Sequence, residues 1–229
     1  MGNLTGLQTH SQLSHYAFLQ TPMEFFMSRS FMLAVTGGIG CGKSKVLELL
    51  EEASFETLET DRLAHKLMAK REELHGEIVA EFGEKILLKS GEINRSALAE
   101  EVFENERKRE RLNALIHPRV QAEMVRWMKR CSDAGGLAAV EVPLLFECGW
   151  QNMDWQCVMA VYAHEDVVKR RLQLRGWSED QIQARIGAQW SLEEKCSLAD
   201  VIIDNSGTEM NLKTDLMAWI KRMQEEIRI

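Results

Sequence analysis

One segment restricts the fold of this chain more than any other. Gly37-Gly38-Ile39-Gly40-Cys41-Gly42-Lys43-Ser44 fits the spacing G-x-x-x-x-G-K-[ST]. The continuous apolar run Phe31–Thr36 precedes it and the helix-forming stretch Lys45–Glu52 follows. Glycines let consecutive backbone N–H groups curl inward around phosphate oxygens, and the N-terminus of the following helix adds a partial positive charge. In that geometry Lys43 reaches the β- and γ-phosphates of a nucleoside triphosphate, and the Ser44 hydroxyl ligates Mg²⁺. The segment predicts triphosphate binding through Gly38, Ile39, Gly40, Cys41, Gly42, Lys43 and Ser44. It says nothing about what receives the phosphoryl group.

Further short apolar runs occur at Phe55–Leu58, Leu137–Val142, Cys157–Tyr162 and Val201–Ile203, each followed by a helical pattern. Runs buried on both faces that alternate with helices predict an α/β fold with a parallel sheet covered on both sides. Between the second and third runs, Leu74–Phe82, Ser96–Phe103 and Arg109–Cys131 have helical periodicity, which predicts a helical insertion over 62–130. Within it Gly91 marks a turn, and Pro118 marks a break or a helix start. Two capping boxes, Ser178 with Gln181 and Ser191 with Glu194, start later helices. Leu212, Leu216, Ile220, Met223 and Ile227 form a core-facing stripe on the last one.

Several residues around the loop carry candidate chemistry. Glu141 falls near a strand end, where it either holds a Mg²⁺-bound water or is a solvated acid. Asp61 follows the second strand, where it serves as a general base toward an attacking hydroxyl, as the N-cap of a helix Arg62–Lys70, or as both. His117, before Pro118, is either an acceptor-side residue or a structural hydrogen-bonder. Lys169, Arg170, Arg171 and Arg175 crowd one helix, with Arg185 and Lys195 following. Arg171 and Arg175 share a face. Together with the glycine loop they predict a lid over 164–196, a discrete flap whose arginines stay solvated until they close on the triphosphate.

Composition removes other classes. With 45% hydrophobic and 28% charged residues among 229, the chain is globular rather than disordered. A formal charge of −7 disfavours a generally basic nucleic-acid binder. No apolar run has the ~18 residues needed to span a bilayer, so neither nucleic acid nor membrane is expected as a partner. Five cysteines without C-x-x-C spacing fit reduced thiols in a cytoplasm. Residues 1–30 hold only two charged residues, Glu24 and Arg29, and lack the positive start and apolar core of a secretory signal. They are read as an N-terminal extension of unknown role, with the main domain over 31–229.

From Phe31 onward the chain resembles bacterial dephospho-CoA kinases. The matching segments are TGGIGCGKS at 36–44, ETDRLAHKL at 59–67, FGEKILLKSGEINRSAL at 82–98, LNALIHPRV at 112–120, VPLLFE at 142–147, RRLQLR at 170–175 and AQWSLEEKCSLADVIIDNSG at 188–207. The resemblance implies a P-loop NTPase core, three-layered α/β/α with a five-stranded parallel sheet, a substrate-binding insertion and an arginine-bearing lid. It implies direct in-line transfer from ATP, with Mg²⁺, to the ribose 3′-hydroxyl of dephospho-CoA, the last step of coenzyme A synthesis, by a protein expected as a monomer. Under it Asp61 is the base, Arg171 and Arg175 are lid arginines, Asn205 lies near the adenine, and His117 lies on the acceptor side. Three positions depart from the family pattern. Cys41 replaces a Ser, Lys45 replaces a Thr and adds charge near the phosphates, and Glu59 replaces an Asp. Rival readings are another P-loop small-molecule kinase and a regulatory triphosphate switch, the latter disfavoured because no guanine-binding N-K-x-D motif is present.

Overall fold

The structure, a computed structural model, describes residues 30–103 and 105–227. The expected extension, apart from Ser30, lies outside them. The most buried strand, β1 (Phe31–Gly37), is covered along its whole length. Its alternation divides it between two cores. Phe31, Leu33 and Val35 join one with α1 (Lys43–Glu52), α6 (Glu165–Leu174) and α9 (Glu209–Ile227). Met32 and Ala34 join another with α5 (Glu106–Ala134). Each large apolar side chain so buried contributes roughly 1.5–3 kcal/mol, and two such faces on one strand produce the three-layer α/β/α arrangement. The α9 stripe is as expected, with Leu212, Leu216, Ile220 and Met223 buried; the side chain of Ile227 lies outside the described ones.

The remaining strands are β2 (Glu56–Glu59), β3 (Leu137–Glu141), β4 (Cys157–Tyr162) and β5 (Val201–Asp204). All pairs are parallel, in the order β2-β3-β1-β4-β5. The edge strands differ from the expected two-sided burial. β5 alternates buried and exposed, and β2 has no fully buried residue, because only one sheet neighbour and one well-covered face reach them. The register sets the site: Val35 pairs with Glu141, and Glu141 with Glu59. The carboxyl end of β1 therefore sits level with two acids that are remote in sequence.

Between β2 and β3 run α2 (Thr60–Leu67), α3 (Glu73–Phe82), α4 (Arg95–Phe103) and α5. Leu74, Ile78, Phe82, Ile86 and Leu98 give this region a small apolar core of its own. The Gly91 turn closes a small hairpin through an antiparallel bridge from Leu87 to Ile93. Pro118 neither breaks nor starts a helix, since α5 runs through it for 29 residues. Proline removes the N–H that would bond the Ala114 carbonyl. The helix continues because it is held on both sides of that gap, by Ile116 before it and by Val120, Met124 and Met128 after it, all packed under the sheet. Arg119 adds a bond from Nη1 to the Leu115 carbonyl at 3.2 Å.

After β4 come α6, α7 (Glu179–Ile186) and α8 (Leu192–Leu198). Both predicted capping boxes are formed, at Ser178 with Gln181 and at Ser191 with Glu194. The expected free flap is not what this structure shows. Val168, Leu172 and Ile182 are buried in the same core as Val35 and Val46, so α6 and α7 are docked on the sheet domain through apolar contacts that a sequence reading weighted toward charge passed over.

Candidate active site

The glycine loop leaves β1 and turns into α1 through Gly42, whose φ of 94° lies in the left-handed region. A Cβ there would stand 2.1 Å from Asn205 Nδ2, so only glycine allows both the turn and the approach of the chain after β5. Gly40, at φ 75°, is similarly confined, with Val168 Cγ1 3.0 Å from where its Cβ would be. The loop is thus seated against α6 on one side and against the residue following β5 on the other.

Lys43 begins α1 and is almost fully buried. Its Nζ donates to the carbonyls of Gly37 at 3.2 Å and Gly38 at 3.0 Å, across the base of the loop. Burial pushes the ammonium below the ordinary lysine range, Glu141 and Asp61 hold it up, and Lys195 pushes it down again. Glu141 is raised by burial, is opposed by Lys43, and is raised further by Glu59 and Asp61. The exposed Ser44 hydroxyl is within bonding reach of that carboxylate. Thr60 ties the start of α2 to the end of β3, its Oγ1 donating to the Glu141 carbonyl at 2.9 Å. Asp61 follows in the first turn of α2, exposed. It is not the helix N-cap, because α2 starts at Thr60 and the cap position falls to Glu59, whose carboxylate pairs with Arg62 at 2.9 Å.

On the other side of the loop, Arg171 is already clasped. Its Nη2 donates to Asn205 O at 2.8 Å, and its Nη1 lies 3.4 Å from the carbonyls of Gly40 and Cys41. Asn205 Nδ2 donates to Cys41 O at 2.8 Å. Arg171, expected to be solvated, is therefore held by backbone acceptors, whereas Arg175 one turn on is exposed. Gly40, Gly42, Lys45, Arg171, Arg175 and Asn205 line a cavity of about 390 Å³ beside the loop. Lys45 turns its ammonium to Glu209 at 2.8 Å and Glu48 at 3.0 Å, so its charge is engaged there rather than directed at the phosphate cradle. Cys41 is buried in the loop, and burial raises its thiol.

His117 lies apart from this cluster. It is half-buried on α5, its ring edge-on to Trp150 and its Nδ1 3.7 Å from Cys148 Sγ, and burial lowers its basicity. The other cations of the predicted basic group are dispersed. Lys169 pairs with Glu165 and Glu179, and Arg185 stacks on Trp177 at 4.5 Å. Lys195 is fully buried, donating to Glu147 Oε1 and to Pro143 O, both at 2.7 Å. Glu147 Oε1 also accepts from Trp190 N at 3.0 Å, and Phe146 stacks on Trp190. Sequence reasoning assigned no role to this Glu147–Lys195 pair. The available signal was one acid, Glu147, inside an otherwise apolar segment; Lys195 follows Glu193 and Glu194 and gave none.

Among the described residues no cluster of three or more His, Cys, Asp or Glu side chains is arranged to hold a metal ion. Mg²⁺ bound with a nucleotide needs only one or two protein oxygens, the phosphates and water completing its shell. Ser44 and Glu141, adjacent at the loop's end, fit that requirement. Among the described residues no helix is long and apolar enough to cross a membrane.

Comparison with known proteins agrees with this arrangement. The family profile of dephospho-CoA kinase (CoaE) matches residues 31–211. A dephospho-CoA kinase of Geobacillus kaustophilus is 38% identical over 193 residues, covering 83% of this chain and 95% of that protein. One from Enterococcus faecalis is 34% identical over 191 residues, covering 83% and 96%. Among solved structures, TT1252 from Thermus thermophilus superposes with a TM-score of 0.72 at 31% identity, covering 84% of this chain and 97% of that one. The dephospho-CoA kinase from Campylobacter jejuni does so with a TM-score of 0.66 at 29% identity, covering 86% and 98%. The phosphate loop at the end of a central parallel strand and these matches across the same segments lead to one conclusion: the chain belongs to the dephospho-CoA kinase family, whose members use ATP to phosphorylate dephospho-CoA in the final step of coenzyme A synthesis.

Proposed function

We propose that this chain transfers the γ-phosphoryl group of ATP in line to the ribose 3′-hydroxyl of dephospho-CoA, with the residues around its glycine loop in defined roles. The observation that carries the assignment is the meeting of Lys43 with Glu141 and Asp61 at the carboxyl end of β1. The buried Lys43 ammonium, held across the base of the loop by the Gly37 and Gly38 carbonyls, stands in electrostatic reach of an exposed carboxylate on α2. The backbone N–H groups of Gly38–Ser44 cradle the phosphates, and Lys43 and Arg171 offset charge on the transferring group. Arg175 and Asn205 border the nucleotide cavity. Asp61 accepts the proton of the attacking hydroxyl. Ser44, with Glu141 behind it, would hold Mg²⁺, which would neutralise part of the phosphate charge. His117 takes part only as a packed residue of α5 on the acceptor side. The helices over 62–130 form the acceptor side, those over 164–196 the nucleotide lid, and the enzyme works in the cytoplasm as a monomer.

A coupled ADP-release assay across dephospho-CoA, nucleosides and nucleotides tests this reading. Turnover should be highest with dephospho-CoA, with the new phosphate on the 3′-oxygen by ³¹P NMR. Comparable turnover with a nucleoside, or hydrolysis independent of acceptor, would refute it.

A further inference from the structure

The transfer reading leaves one buried cation without a task. Among the described residues the buried polar and charged side chains are Thr36, Lys43, Thr60, Glu141, Lys195 and Asn205. Lys43, Thr60, Glu141 and Asn205 bear on the glycine loop or on the acid at the end of β3. Lys195, on α8, belongs to the same end of the molecule, because its charge adds to the burial that holds Lys43 below the ordinary lysine range. It has no exposed surface, and its Nζ bonds Pro143 O and Glu147 Oε1, both at 2.7 Å. Glu147 Oε1 in turn accepts from Trp190 N at 3.0 Å, just ahead of Ser191, the N-cap of α8.

Helix α8 touches both walls of the phosphate site. On one wall, Leu192 Cδ1 stands 3.9 Å from where a Cβ on Gly38 would be. Lys195, three residues on and so on the same side of the helix, holds the other wall. There the β1–β3 register ends at Glu141, and Val142 N still donates to Val35 O at 2.9 Å. Pro143 has no N–H with which to continue, so the Lys195 bond to its carbonyl fixes the chain two residues beyond Glu141. Apolar side chains of similar volume often hold a fold as well as a buried ion pair does, so stability alone does not account for a lysine here. What an apolar side chain lacks is direction: a hydrogen bond to one carbonyl sets both a distance and an angle between helix and strand end. We infer that Lys195 is a positioning residue for phosphoryl transfer, which through Pro143 and Glu147 holds the end of β3, and with it Glu141, in place against the glycine loop and Lys43. The inference rests on the transfer reading proposed above.

The double variant Lys195→Met, Glu147→Leu tests it on the full chain, because it removes the tie together with the charge that Lys195→Met alone would strand. With ATP and dephospho-CoA its kcat should fall about tenfold or more, since a small misplacement of catalytic groups is costly. Its Kd for ATP by calorimetry should stay within about threefold of wild type, because Lys195 bonds no residue of the loop. Hydrogen exchange over 141–149 in the nucleotide-free double variant should be about tenfold faster or more. All three are measured well below the unfolding transition of the double variant, so that loss of folded protein does not enter. A folded double variant with kcat within about threefold of wild type would overturn the inference and leave Lys195 a role in stability alone; so would a loss confined to the Kd for ATP. Wild-type turnover with another acceptor in place of dephospho-CoA would refute the acceptor assignment, and the same kcat loss measured with that acceptor would still support the positioning role.

Discussion

Replacing Lys195 by Met removes one partner of the buried pair that fastens α8 to the loop after β3. Lys195 has no exposed surface, and its Nζ bonds Glu147 Oε1 and Pro143 O at 2.7 Å each. At that separation and an effective dielectric of about 20, the bare attraction is about 6 kcal/mol, an upper bound before desolvation is subtracted. Met fills a similar volume but leaves the largely covered Glu147 carboxylate with only the Trp190 N–H, its Oε2 already without a partner, and strands the Pro143 carbonyl. Breaking a buried pair in this way costs about 3–5 kcal/mol. For a chain of this size that is a fall in Tm of roughly 6–20 °C. Adding Glu147→Leu removes the orphaned charge, so the double variant should regain most of the loss and keep a residual deficit of about 1–3 kcal/mol from the unpaired Trp190 and Pro143 backbone groups. Urea denaturation of both single variants and the double variant measures the cycle. A Lys195→Met protein within about 1 kcal/mol of wild type, or a double variant as unstable as the sum of the singles, would refute the reasoning.

Arg171→Ala should lower kcat/KM about 10²-fold or more and cost some stability, since it removes both a donor to the phosphates and the clasp on Gly40, Cys41 and Asn205; steady-state kinetics with wild-type values would show the arginine to be structural only. Asp61→Asn should reduce kcat by ~10²–10⁴ with ATP affinity retained, as the proposed general-base role requires; a collapse of ATP binding by calorimetry would move it to the metal site. Lys43 is held below the ordinary lysine range by burial, so the alkaline limb of kcat/KM should fall below the value of about 10.4 typical of a free lysine. The folded state also releases that proton before the unfolded chain does, so this group's contribution to stability rises with pH between its folded and unfolded values. A limb at the ordinary value in the pH–rate profile would contradict the burial of Lys43.

What was legible in the sequence is local. The strands at Cys157–Tyr162 and around Phe31, the turn from Gly37 to Lys43 and the caps at Ser178 and Ser191 each follow from neighbours a few residues apart. Backbone freedom, apolar runs and side-chain-to-backbone bonds act at that range. The family, and with it the activity, was legible from motifs in order along the chain. The order β2-β3-β1-β4-β5 was not. It sets Glu59, Glu141 and Gly37 at one edge, and pairing between distant strands depends on register and packing rather than on any local signal. The same holds for the basic stretch of α6 to α8. Charge alone predicted a solvated flap, whereas the tertiary structure buries Val168, Leu172 and Ile182. It also gives each cation a separate fate: Arg171 on the loop, Lys169 on two glutamates, Lys195 sealed against Glu147. Lys169 finds Glu165 one helical turn away, but Arg171 and Lys195 are partnered by residues 34 to 131 positions away, and that is where the sequence by itself stops and the fold decides.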